Sequence, residues 1–134
     1  MVGEKRIVII GVVFCLTAVI LGAFTAHALK EILESSSIKS FNTGVRYQFW
    51  HGLALLCLAT WNRIFSIKKL SLGLLFIAVG TMLFSGSIYL LALKSILAVP
   101  TQFIGPITPI GGMLIILGWV IILIKISMHN FKSA

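Results

Sequence analysis

The sequence has very little negative charge and no aspartate at all. Its 134 residues include three acidic side chains, all glutamates, against 11 lysines and arginines, and only 10% of the chain is charged. A soluble domain carries about 25% charged residues, so this chain has too few to cover a folded surface with polar groups. The shortage of carboxylates also removes the paired acids on which hydrolysis and proton relays depend.

Cysteine is scarce as well, and its placement argues against a metal site. Cys15 and Cys57 both fall inside apolar runs, where a cysteine usually acts as a small buried hydrophobe. The sequence contains no C-x-x-C pair, no G-x-S-x-G motif and no phosphate-binding glycine loop. We therefore expect no enzymatic activity, no catalytic residues, no metal ligands and no cofactor.

Long apolar runs dominate the chain instead. Hydrophobic residues make up 59% of it and the mean hydropathy is +1.11. Four blocks approach the roughly 20 residues that a helix needs to cross a bilayer, at about residues 7–29, 47–64, 70–93 and 109–126. The sequence thus predicts an all-α membrane protein, with residues 1–134 forming one domain built as a four-transmembrane-helix bundle.

The positive charges indicate how the chain is oriented in the membrane, and they do not indicate nucleic-acid binding. The formal net charge is +8, but the basic residues stand singly or in pairs between the apolar blocks, which is typical of membrane topology signals. The side with more of them is expected to be cytoplasmic, which places both termini in the cytoplasm. That side would hold Lys5, Arg6, Arg63, Lys68, Lys69, Lys125 and Lys132, and the other side Lys30, Lys39, Arg46 and Lys94.

The first and third connections are expected to be more than linkers. Ile38, Phe41 and Val45 follow a helical spacing that predicts an amphipathic segment at the interface, bending into the second span near Gly44. Before the fourth span, Thr108 is positioned to cap a helix whose first residue is Pro109.

Small residues recur where helices would pack. They lie at seven-residue spacing in the third and fourth blocks, at Gly73, Gly80 and Ser87 and at Gly111 and Gly118, and such stripes allow close backbone approach in lipid. A short internal similarity, "GAFTAHALK" (22–30) against "GSIYLLALK" (86–94), makes two duplicated helical hairpins a hypothesis that the sequence leaves open.

Polar side chains concentrate in one half of the predicted bundle, the half away from the cytoplasm. On a helical projection, Tyr47, Gln48 and His51 share one face, whereas Phe49 and Trp50 point the other way. An unpaired polar group in apolar surroundings costs roughly 2–7 kcal/mol, so these side chains require partners on other helices. The candidate cluster comprises His27, Tyr47, Gln48, His51, Ser85, Ser87 and Tyr89.

Three interpretations of this cluster remain open. In the first, the cluster is a hydrogen-bonded plug that sets the register of the helices. In the second, it is a site for a small ligand or for transport. In the third, it is a metal or haem site in which His27 and His51 bind the metal from two helices. We favour the structural interpretation, because the histidines lie near the interface, where water reaches them.

Four segments, "GAFTAHALK", "FNTGVRYQFWHGLALL", "LFSGSIYLLAL" and "ITPIGGMLIILGW", resemble the signature segments of the domain-of-unknown-function 423 family, the YgdD-like bacterial inner-membrane proteins. The one visible departure is Thr25, where the family pattern has glycine. The resemblance implies a multi-pass membrane protein and carries no established activity.

The leading hypothesis is a non-enzymatic protein of the bacterial inner membrane, an accessory or scaffold subunit of a larger assembly. The alternative is a small transporter or channel that uses the polar cluster. The expected partners are the lipid bilayer and other membrane proteins or further copies of the chain, and nucleic acid is not expected.

Overall fold

The described part of the chain is almost entirely helical. A computed structural model describes residues 2–65, 67, 70–98 and 100–129, in which there is no strand. Lys68, Lys69 and Lys132, which enter the orientation prediction, lie outside these residues. The elements are α1 (Val2–Phe24), a π-helical turn (Thr25–Leu29), α2 (Lys30–Ile32), α3 (Ser35–Phe65), α4 (Leu70–Ala92), α5 (Lys94–Leu97), α6 (Thr101–Ile104) and α7 (Ile107–Ser127).

Three stretches are long and apolar enough to cross a membrane. They are Lys5–Ile32, Leu70–Ala92 and Thr101–Ser127, and they contain most of the first, third and fourth predicted spans. The predicted second span, 47–64, is the C-terminal part of α3. That helix has 31 residues and is about 46 Å long, so length does not prevent it from crossing, but its N-terminal part is polar. The four-span count and the duplicated hairpins therefore remain predictions.

The first of these stretches, Lys5–Ile32, includes the π-helical turn and remains helical through it. Thr25, where the resemblance led us to expect glycine, is 1% exposed. Its hydroxyl donates to the carbonyl oxygen of Leu21 at 2.8 Å. The hydroxyl is therefore satisfied within its own helix, and the substitution leaves no orphaned polar group.

The segment that we expected to lie at the interface before the second span is not a separate helix. Helix α3 is continuous from Ser35 to Phe65, including Gly44, where we expected a bend. The reason is that Gly44 serves close packing instead: a Cβ there would lie 2.7 Å from Cε1 of Tyr89. The residue accommodates a ring from α4, and the segment before it is the first part of one long helix.

The predicted helix start at Thr108 is also wrong. Helix α7 begins at Ile107, with Pro106 in the capping position and no side-chain cap. Thr108 instead places its hydroxyl 2.7 Å from that of Ser87. The side chain thus links α7 to α4, because bonding across the interface competes with capping its own helix.

The four long helices pack in chain order. The most extensive contacts join α4 to α7, α1 to α3 and α3 to α4, and α1 touches α4 more weakly. Short connections make successive helices antiparallel. Helices α3 and α4 are therefore central, and α1 and α7 flank them.

Glycines on α4 and α7 meet in pairs. A Cβ on Gly80 would lie 2.8 Å from the carbonyl oxygen of Gly111, and one on Gly118 would lie 2.8 Å from that of Gly73. The stripes seen in the sequence thus face each other, so that the two backbones are in direct contact. Gly11 and Gly52 bring α1 and α3 together in the same way, with a 3.0 Å approach to the Gly52 carbonyl oxygen.

Apolar side chains are found both inside and outside the bundle. The interior includes Leu55 and Ile77, each 0% exposed, whereas Val19 on α1 and Leu123 on α7 are 61% and 65% exposed. Many other large apolar side chains of these two helices are similarly exposed. A monomer in water rarely shows so much apolar surface, and lipid is the environment that it matches.

Candidate functional site

Gln48 is the centre of a polar network that joins three helices. It lies on α3, and its side chain is 8% exposed. Its Nε2 donates to the carbonyl oxygen of Phe14 at 3.0 Å and to Oγ1 of Thr17 at 2.6 Å, both on α1. Its Oε1 accepts from the hydroxyl of Tyr89 on α4 at 2.9 Å. Both N–H groups and the carbonyl of the amide are thus in use.

Tyr89 and Ser85 complete the contact between α3 and α4. The Tyr89 ring lies over Gly44 and against Phe41, with ring centroids 4.6 Å apart. Ser85, which is 1% exposed, donates to the carbonyl oxygen of Gly44 at 2.9 Å. The Ser85 hydroxyl proton is thus bonded to a backbone oxygen of the neighbouring helix. Neither group needs a water molecule as its partner.

His51 has a protein partner at each ring nitrogen. Nδ1 lies 2.7 Å from the carbonyl oxygen of Tyr47, and the indole Nε1 of Trp119 on α7 lies 3.4 Å from Nε2. An indole N–H can only donate, so Nε2 accepts and Nδ1 carries the proton. We assign this neutral tautomer from the hydrogen-bond pattern. A metal ion at either nitrogen would have to displace one of these contacts.

Ser87 connects the cluster to the flanking helix α7. Its hydroxyl donates to the carbonyl oxygen of Phe84 at 2.9 Å. Its single proton is then in use, so the 2.7 Å contact with Thr108 has the threonine as donor. The hydroxyl pair extends hydrogen bonding across the α4–α7 interface.

Two of the predicted cluster residues lie towards the outside. Tyr47 is 43% exposed, although its ring packs on Phe84 with centroids 4.7 Å apart. His27 is exposed in the π-helical turn, and within the described ranges no hydrogen bond joins it to the cluster. Over the same residues, no group of three or more histidine, cysteine or acidic side chains is close enough to hold a metal ion.

Sequence reasoning missed the partners on α1 and α7. Thr17 is the single hydroxyl side chain within Val2–Phe24. Its lone position in an apolar helix could have predicted that it is a partner of Gln48. The Phe14 carbonyl has no signal in the sequence, because a backbone oxygen becomes available through local geometry. Trp119 sits in an apolar run that looks like ordinary lipid-facing helix.

Thr81 stands apart from this network. It lies one helical turn before Ser85 on α4 and is 0% exposed. Its Oγ1 has no hydrogen-bond partner within the described part of the chain. A buried hydroxyl in that state costs roughly 1–3 kcal/mol.

Two cavities flank the start of α3, at the same end of the bundle as the network. One, of about 410 Å³, has Ser36, Ser37, Ser40, Lys94, Thr101 and Thr108 among its lining residues. The other, of about 530 Å³, lies between the end of the first helical stretch and α3, with Thr25, Lys30, Ser35, Lys39 and Asn42 as its polar lining.

The apolar exterior and the three stretches able to cross a bilayer define a helical integral membrane protein. The family model described as "Protein of unknown function (DUF423)" matches residues 21–112, a range that contains every residue of the predicted cluster. The chain belongs to this family, as the resemblance of its motifs predicted.

Named relatives support the assignment. The UPF0382 membrane protein SSP2132 of Staphylococcus saprophyticus is 40% identical over 121 residues, which cover 90% of this chain and 95% of the relative. A UPF0382 membrane protein of Haemophilus influenzae is 38% identical over 90% of this chain and 86% of its own length. The UPF0382 inner membrane protein YgdD of Escherichia coli is 36% identical, over 79% and 77% of the two chains. No solved structure is significantly similar.

Proposed function

We propose that this protein is a non-enzymatic subunit of the bacterial cytoplasmic membrane, acting as an accessory or scaffold component of a membrane assembly. The observation that carries the proposal is the saturated amide of Gln48, which joins α1, α3 and α4. A side chain whose hydrogen-bonding groups are taken up by the protein holds helices in place. It has no N–H left for a substrate.

The same network disfavours the alternative of a small transporter or channel. The polar groups that would line a pathway bond to one another and to backbone carbonyls. The α1–α3 and α4–α7 interfaces are closed by glycines in backbone contact. A conducting path would therefore need several copies of the chain.

We further propose four spans, with the C-terminal part of α3 as the second, and both termini in the cytoplasm. An even number of antiparallel spans puts both ends of the chain on one side. Lys5, Arg6 and Lys125 lie at that end, which supports its cytoplasmic placement by the positive-inside tendency. Reporter fusions at the C-terminus and between α4 and α7 test this. An externally placed C-terminus overturns it.

The scaffold role is tested by isolating the protein, tagged at its native expression level, in mild detergent after crosslinking. We expect a complex larger than the monomer that contains another integral membrane protein at fixed stoichiometry. When the partner is tagged instead, we expect its assembly to fall apart once the gene for this protein is deleted. A monodisperse monomer without a stoichiometric partner contradicts the role.

A further inference from the structure

The larger cavity has a composition that neither the polar network nor the scaffold role explains. It lies where the π-helical turn and α2 meet the first turns of α3 and has a volume of about 530 Å³. Its apolar lining is Gly22, Ala26, Leu33 and Ile38, and its polar lining includes two lysines, Lys30 and Lys39. The cavity is therefore amphipathic.

Its charge is of one sign. Lys30 and Lys39 come from different helices, and no carboxylate is part of the lining. Glu31 and Glu34 belong to the same segment of chain but are exposed and do not line the cavity. Over the described residues, no ion pair within 4.0 Å neutralises either lysine. Two lysines that line one cavity together with hydroxyl and amide side chains have the chemistry that suits an anion.

On the first helical stretch, the lining changes along the helix axis from Gly22 and Ala26 to the charged Lys30. Gly22 lies beside Val45, since a Cβ on Gly22 would be 3.5 Å from that side chain. Lys30 lies eight residues further along, about 12 Å at the helical rise. Gly22 is thus deeper in the bundle, and Lys30 lies nearer to its end. An amphiphile with an anionic head has the same order of groups.

We propose that this cavity binds an anionic phospholipid, with its phosphate between Lys30 and Lys39 and part of an acyl chain along Gly22 and Ala26. Ser35 and Asn42 provide further hydrogen bonds to the phosphate and glycerol oxygens. The membrane supplies this ligand at high local concentration, so moderate affinity is enough for occupancy. The site is independent of the scaffold role and of which face of the membrane it occupies.

Native mass spectrometry of the full-length protein in detergent tests the proposal. Phosphatidylglycerol is titrated against phosphatidylcholine with the same acyl chains. We expect the first phosphatidylglycerol molecule to bind at least about tenfold more tightly than the first phosphatidylcholine molecule. One lysine near an anionic headgroup contributes about fivefold in affinity. The affinity of the double variant Lys30→Gln/Lys39→Gln for phosphatidylglycerol should therefore be about twenty-fivefold lower.

The matched control removes the same charge at the opposite end of the bundle. Lys5→Gln/Lys125→Gln should leave the affinity for phosphatidylglycerol unchanged. An equal loss in the two double variants would mean that general electrostatic attraction, not a site, binds the lipid, and it would overturn the proposal. So would the absence of any preference for phosphatidylglycerol in the wild-type protein.

A third variant tests the acyl-chain part without changing a charge. Ala26→Phe should weaken the binding of phosphatidylglycerol while leaving thermal unfolding unchanged, since Ala26 is exposed.

A competition experiment distinguishes a lipid site from a site for free phosphate. We expect millimolar inorganic phosphate not to displace the lipid. Complete displacement by phosphate, or full affinity in Ala26→Phe, would show that only the anion is recognised and would contradict a lipid site.

Discussion

The two main interfaces of α4 are held together in different ways. Towards α3, the contact is made by side chains: Tyr89 reaches Gln48, and Ser85 reaches the Gly44 carbonyl. Towards α7, the contact is made mainly by glycines that let the backbones touch. In lipid the hydrophobic effect contributes little to the association of helices. Packing and interhelical hydrogen bonds must therefore supply the attraction. Hydrogen bonds between side chains are more prominent on the α3 side of α4, and backbone packing is more prominent on the α7 side.

The glycine interface should be the more sensitive to substitution. A Cβ at Gly80 would lie 2.7 Å from the backbone nitrogen of Ile115, and a backbone atom cannot move aside cheaply. We expect Gly80→Ala to destabilise the fold by about 3 kcal/mol, the upper range for overpacking. Unfolding in detergent micelles measures this.

Gly86→Ala on the same helix is the matched control. A Cβ there would meet nothing within 4 Å, so we expect no loss and a small gain from helix propensity. Equal effects of the two substitutions would show that the α4–α7 backbones are not in contact as described.

The polar interface should respond less strongly. Gln48→Leu leaves the Tyr89 hydroxyl and the Thr17 hydroxyl without their partner, and we expect a loss of about 1–2 kcal/mol. Gln102→Leu on α6, where the side chain is exposed, should have little effect. If Gln48→Leu spares stability and instead removes protection by a ligand, the cluster is a binding site and not a structural network.

Thr81 should change stability in the opposite direction. Its buried hydroxyl has no partner in the described part of the chain, and valine has nearly the same shape. We expect Thr81→Val to raise the free energy of unfolding by about 1 kcal/mol. Destabilisation in the same assay would mean that the hydroxyl is satisfied, for instance by a buried water molecule.

The smallest effect is expected at the long contact between α7 and α3. Trp119→Phe removes the indole donor, which lies 3.4 Å from Nε2 of His51, while keeping an aromatic ring. We expect a loss of about 0.5 kcal/mol. His51→Leu should cost more, because it also removes the bond to the Tyr47 carbonyl. A double-mutant cycle of the two residues isolates their coupling, and zero coupling would show that the contact does not contribute.

Much of this arrangement was predictable from the sequence. The apolar blocks at 7–29, 70–93 and 109–126 coincide with stretches able to span a membrane, and the four motifs indicated the family. The seven-residue spacing of Gly73 and Gly80 indicated a packing face. These features are local, because hydropathy and small-residue periodicity are properties of single helices.

Where the predictions were wrong, a distant contact had displaced a local preference. Thr108 has the chemistry of a helix cap, but it bonds Ser87 on another helix. Gly44 has the freedom to end or bend a helix, yet it accommodates the Tyr89 ring within one continuous helix. Local preferences of this kind amount to about 1 kcal/mol, which one interhelical contact can outweigh.

The sequence by itself determined that the chain belongs in a membrane and that its polar side chains needed partners, because lipid leaves a buried polar group no other way to be satisfied. Only the tertiary structure decided which partners they have. Gln48 met Thr17 and the Phe14 carbonyl through the close approach of α1 and α3 at Gly11 and Gly52. That approach depends on two backbones at once, and no single helix encodes it.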